Sequence, residues 1–177
     1  MSFEFAEVDR FVTGTVGEPG ERQFFLQVRS SQRLISAAIE KSQALTMAQR
    51  LELLVKQVLK EDSSLRSKTL QRDDLPLEQP IERDFVIGAI SIAWESVKER
   101  VEIELYAVTE VDVQDDLEVE DNDEQAELTF SLSISQAQAF VTRTIAVVNA
   151  GRLPCPFCAI PIDPRGHLCP RANGYRR

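Results

Sequence analysis

All three cysteines and the sole histidine of this chain fall within fifteen residues: Cys155-Pro-Phe-Cys158, then His167-Leu-Cys169. Thiolate sulfur and imidazole nitrogen are the donors that tetrahedral Zn²⁺ takes, and C-x₂-C followed by H-x-C supplies a full set of four. Each short arm can place two donors on one side of a single ion, and Pro161, Pro164 and Gly166 between the arms suit a tight turn. The spacing predicts a Cys₃His site of Cys155, Cys158, His167 and Cys169. The Zn²⁺ it would hold is structural, because a filled shell leaves no open position for water. Such an ion contributes on the order of 10 kcal/mol, enough to fold a tail too short for a core of its own. Three thiolates around a dication leave one net negative charge, which Arg152, Arg165 and Arg171 lie close enough in sequence to offset.

Other chemistries fit these residues less well. Cys-Pro-Phe-Cys is similar to a glutaredoxin-type redox centre, where a helix N-terminus lowers the first thiol's pKa, but here the motif comes late and among prolines. A disulfide framework leaves one of three cysteines unpaired. Pro154-Cys155-x-x-Cys158 matches half of the zinc-deaminase signature, yet the His-x-Glu half belongs upstream and the only His lies downstream.

The elements that position this tail come from a chain of 177 residues, 43% hydrophobic, with a formal net charge of −9. That length builds one ordinary domain with a small appendage. No run approaches the roughly 18 apolar residues of a membrane span. The opening Met-Ser-Phe-Glu-Phe-Ala-Glu-Val-Asp carries acid where a signal peptide carries Lys or Arg. With reduced thiols, this places the protein in the cytoplasm. The negative charge disfavours general nucleic-acid binding. No Lys or Arg stands between Arg100 and Arg143, while acids crowd Glu110 to Glu127, as in a solvated loop.

The body reads as a duplication. Phe11-Val-Thr-Gly14 recurs as Phe85-Val-Ile-Gly88, and Ser42-Gln-Ala44 with Arg50 recurs as Ser135-Gln-Ala137 with Arg143. After the first anchor, Gln23–Arg29 and Leu34–Ile39 suit strands, and Ser42 can cap a helix running to about Lys60. After the second, Phe85–Trp94, Val101–Ala107 and Ala126–Ser133 suit strands, and Ser133 or Ser135 opens a helix to about Asn149. The predicted fold is α+β: two β-β-β-α units forming antiparallel sheet with helices packed on it, plus the zinc-bound tail. Residues 1–60 form the first unit, 61–82 a linker, 83–150 the second unit with an acidic loop at 110–125, and 151–177 the tail.

The ending Gly151-Arg-Leu-Pro-Cys-Pro-Phe-Cys158, continued by Asp163-Pro-Arg-Gly-His-Leu-Cys-Pro-Arg-Ala-Asn-Gly-Tyr175, resembles the C-terminus of the DUF3090 proteins of actinobacteria and some related lineages. The F-V-x-G starts and the SQA helix extend the resemblance over essentially the whole chain. It implies a cytoplasmic bacterial protein of uncharacterised function and brings no catalytic residues.

Among functions, a non-catalytic interaction or regulatory protein, partnered by another protein, accords best with a His committed to metal, since that removes the commonest general base. An alternative is an enzyme or anionic-ligand site between the units, at a pseudo-two-fold axis, with Arg50 and Arg143 as the cations and Glu40, Glu82 and Arg83 nearby. A second alternative is weak nucleic-acid binding by the tail, through Tyr175 and its arginines. The interaction reading is favoured over the enzyme.

Overall fold

Alternation of apolar and polar residues builds the sheet. In the computed structural model, which describes residues 2–18, 20–66, 73–108, 126–151, 154–160, 162 and 166–171, seven strands and two long helices follow one another. The order is β1 (Phe3–Phe5), β2 (Arg10–Val16), β3 (Gln23–Ser30), β4 (Arg33–Ile39), α1 (Lys41–Glu61), β5 (Phe85–Glu95), β6 (Arg100–Ala107), β7 (Leu128–Leu132) and α2 (Ile134–Asn149). In β6, Val101, Ile103 and Leu105 are fully buried while Glu102 and Glu104 between them reach solvent. Leu128, Phe130 and Leu132 of β7 do the same, the period-2 pattern of a sheet with one wet face. The acidic loop at 110–125 lies outside the described residues, as do Arg152, Arg165 and Tyr175.

The fold is α+β, and its sheet is mixed rather than wholly antiparallel. Strand order is β1-β7-β6-β5-β4-β3-β2. Each half is antiparallel within itself. The halves meet through a parallel pairing of two residues, Ala37↔Phe85 and Ala38↔Val86. Strand β1 adds a second parallel pairing, Phe3↔Leu128 to Phe5↔Phe130. Parallel neighbours need a long crossover, which α1 and the following segment provide between β4 and β5.

The sheet curls strongly. Four strands separate β2 from β7, yet Phe11 of β2 meets Phe130 of β7 edge to face, with ring centroids 4.9 Å apart. Phe11 also stacks on Phe140 of α2 at 4.0 Å and 11°. The two ends of the sheet thus share one core with α2. Helix α1 contributes Ala44, Met47, Leu51, Val55 and Val58 to that core, spaced to form one helical face.

A second, smaller core lies on the outer face of β2–β4, where Val12 and Phe25 pack with Leu77. Residues 73–82, expected to be part of a linker, run across this face. Gln27 donates to the Glu78 carbonyl (2.9 Å) and accepts from the Glu78 N–H (2.8 Å). A Cβ on Gly14 would collide with the Leu77 side chain, so the glycine there makes room for the strap.

Both halves run strand-strand-strand-helix, but their anchors do not all correspond. Phe11 pairs with Val28 inside the β2–β3 hairpin. Phe85 precedes its own hairpin and pairs across the junction with Ala37. Phe11 over Phe85 is therefore not a structural equivalence. The glutamines of the SQA motifs do occupy alike places. At α1 the Glu40 N–H donates to Gln43 Oε1 at 3.1 Å, and Gln43 Nε2 donates to the Gly88 carbonyl at 3.1 Å. At α2 the Ser133 N–H donates to Gln136 Oε1 at 2.9 Å, and Gln136 Nε2 donates to the Val8 carbonyl at 2.8 Å. Each Gln closes a capping box and ties its helix to backbone of the other half. Ser42 is not the cap of α1: the helix begins one residue before it, at Lys41, with Glu40 as N-cap.

Candidate metal centre

After α2, which ends at its C-cap Ala150, the chain forms a knuckle at residues 154–160 and 166–171. The Ala159 N–H donates to the Cys155 carbonyl (2.8 Å), and the Cys155 N–H to the Ile160 carbonyl (2.9 Å). The turn Pro156–Cys158 lies between. Ala159 takes a left-handed φ of 61° to close it. Arg171 Nη1 donates to the Phe157 carbonyl at 3.1 Å, drawing the second arm onto the first.

These loops bring the four sequence candidates together. Donor atoms of Cys155, Cys158, His167 and Cys169 all lie within 4.8 Å of one another. Cys155 and Cys169 sulfurs are 3.8 Å apart, and Cys158 Sγ is 3.3 Å from His167 Nε2. All three cysteines are free thiols. The set fits a tetrahedral soft-ligand ion: with metal–sulfur bonds of about 2.3 Å, two sulfurs on one ion stand about 3.8 Å apart. At Cys155 desolvation opposes ionisation, but the N–H groups of Phe157 and Cys158 and the thiols of Cys158 and Cys169 together hold the thiol below its ordinary value. At Cys158 desolvation, joined by the neighbouring thiols, pushes the value up. No helix starts at Cys155, so the dipole that activates a C-x₂-C redox centre is missing from this geometry.

Arg50 and Arg143 do not converge. Arg50 is exposed on α1, beside a cavity of about 280 Å³ that it shares with Gln43 and Gly88. Arg143 is buried, its Nε donating to the Thr13 carbonyl at 2.7 Å and its Nη1 to both the carbonyl and the carboxylate of Asp73. It borders a separate cavity of about 340 Å³. The expected axis between the halves fails for a topological reason. A two-fold normal to the sheet would place like strands antiparallel at the junction, whereas here the last strand of one half meets the first of the next in parallel.

Asp73 was not visible from the sequence as anything but linker. Arg10 grips its carboxylate from Nε (2.5 Å) and Nη2 (3.0 Å), and Arg143 reaches it at 3.2 Å. The hydrogen bond from Arg10 is the main reason its carboxyl lies below the usual range. Only partly anticipated was a larger cavity, about 830 Å³, lined by Arg22, Lys41 and Arg83, of which the sequence pointed to Arg83 alone. These three are scattered along the chain, and no local spacing links them. Glu40 lines the same cavity, while Glu82 is exposed outside it.

Among the described residues, no helix is long and apolar enough to cross a membrane. No curated protein and no solved structure matches the chain. Residues 3–169 match the model of a family described as "Protein of unknown function (DUF3090)".

Proposed function

Because this chain belongs to the DUF3090 family, whose description assigns no activity, we propose its role from its own residues: a cytoplasmic zinc-binding protein that acts by contact with another protein, without catalysis at the metal. The observation that carries this reading is the convergence of three thiols and one imidazole within 4.8 Å. Zinc is the ion such a set favours, since soft thiolates with tetrahedral spacing select it over harder cations. When bound, it cross-links the two arms and supplies no open coordination position.

Support for a contact role comes from what the knuckle turns outward. Phe157 is 64% exposed and Leu168 is 87% exposed. Apolar side chains held out from a rigid, metal-tied loop suit a protein partner, whose hot spots are built on such anchors. Lys and Arg of the body are outnumbered by acids, which favours a protein over a nucleic-acid partner.

Two measurements test the proposal. Untagged protein analysed by plasma mass spectrometry is expected to carry one zinc per chain, and recovery of folded, metal-free protein with reactive thiols would sink the metal assignment. Partners captured from the native cell by wild type should be lost with Phe157→Ser/Leu168→Ser, a double variant that leaves all four donors intact. Unchanged capture would refute the contact surface while leaving the zinc standing.

A further inference from the structure

We propose that the cavity where the two halves meet binds a small organic anion, one carrying phosphate or carboxylate groups on an apolar frame. This goes beyond the zinc reading and uses none of the metal donors. The cavity, about 830 Å³, is bounded by the ends of β4 and α2, the starts of α1 and β5, and the knuckle through Ile160. That size suits a small-molecule ligand.

Charge is what singles it out. On a chain of net charge −9, this wall carries Arg22, Lys41 and Arg83 against one carboxylate, Glu40. A Cβ placed on Gly151 would sit 3.4 Å from Arg22 Nη2 and 4.0 Å from Lys41 Nζ, so two charged ends gather at one point. Elsewhere the fold neutralises such groups: Arg10 is held by Asp73 and Glu78, and Arg143 by Asp73. Among the described residues, Arg22 has only the ring of Phe24, 5.6 Å away.

Helix ends do not cancel the excess. The C-terminus of α2 offers about −0.5 charge and the N-terminus of α1 about +0.5, so the two offset each other. Among the described residues, two net positive charges therefore remain facing a concave space, where low-dielectric walls strengthen their pull on an anion. The apolar part of the lining, including Phe24, Val148 and Ile160, asks for a ligand with a carbon frame beside its charge. A guanidinium beside an ammonium recognises either phosphate or carboxylate.

The test is isothermal titration of the full, metal-replete chain with inorganic pyrophosphate in one arm and citrate in the other, at low ionic strength. At least one is expected to bind with a dissociation constant below about 1 mM, and the arm that binds identifies the head group. Arg22→Gln/Arg83→Gln should weaken that binding by about tenfold or more, whereas Lys98→Gln, an equal loss of charge per site in the β5–β6 turn, should change it less than about twofold. Should the double variant fail to fold, Ile160→Asp supplies the second probe. It leaves every cation in place, sets a competing carboxylate in the wall, and is expected to abolish binding. Binding by neither anion, binding that survives these variants, or equal loss in Lys98→Gln would overturn the proposal.

Discussion

The body and the knuckle of this protein are held by different forces, and the contrast shows in what each one buries. In the body, Phe130, Phe140, Leu26, Leu51 and Ile103 are all at most 1% exposed. Each such side chain stabilises the fold by about 1.5–3 kcal/mol. In the described part of the tail, the two buried residues are Cys155 and Cys169, while Phe157, Ile160 and Leu168 face outward. A segment that puts its thiols inside and its apolar groups outside cannot be folded by the hydrophobic effect. The body's stability is spread over many contacts, whereas the knuckle's is concentrated at one point.

That contrast is broken or sharpened by changes of decreasing expected effect, the largest first. Cys155→Ser or Cys169→Ser should release the metal and the order on the order of 10 kcal/mol that comes with it. Amide exchange across residues 154–171 should become fast while the helices keep their circular dichroism. Loss of the helices as well would show that body and knuckle are one cooperative unit.

Next is Phe140→Ala, which removes a ring stacked on Phe11 and should cost about 3–5 kcal/mol of global stability in denaturant titration. Metal content should stay at the wild-type level, because the donors do not touch that core.

Smaller again is Arg143→Met, expected to cost about 1–3 kcal/mol by leaving the Thr13 carbonyl and one side of Asp73 without their donor. Asp73 adds a pH dependence whose sign is fixed. Its carboxyl is depressed in the folded state, first by the hydrogen bond from Arg10. Its contribution is therefore present above the unfolded value and lost as pH falls through the folded one, below about pH 4. The stability gap between wild type and Asp73→Asn should be full at pH 7 and shrink toward pH 3.

The smallest pair is Gln43→Ala and Gln136→Ala, each expected to cost about 1 kcal/mol. Equal costs would agree with like roles at the two helix starts, and a clear inequality would count against a repeat.

Much of this molecule can be read from local pattern. The four donors are legible because coordination chemistry restricts residue type and spacing together, and the strands because burial on one face forces alternation. Helix α1 starts two residues before the expected cap allows and ends one residue later than expected, while α2 keeps one of its two expected caps, Ser133, and its expected end, Asn149. What local pattern does not carry is long-range geometry. Three residues, Phe3–Phe5, are too few to announce a strand, and their partner Leu128–Phe130 is at the other end of the chain. The curl that brings Phe11 to Phe130 follows from twist accumulated over the whole sheet. Leu77 could not be assigned to the outer face, because the space for it exists only where Gly14 lacks a side chain. Arg50 and Arg143 occupy matched sequence positions, yet one is wet and the other clasped by backbone and Asp73.

Strand β1 also sets a schedule for the newborn chain. Hydrogen bonding between Ser131 and Ala6 spans 125 residues, so β1 leaves the ribosome long before the strand it pairs with. The β2–β4 meander can form from neighbouring sequence while β1 waits unpaired for β7. Until it docks, the outer rim of β7 offers a row of open peptide groups, the template on which strands of separate molecules join. Docking of β1 covers the Leu128–Phe130 part of that rim and moves the sheet's edge to a strand of three residues, and short edge strands are poor templates for such joining.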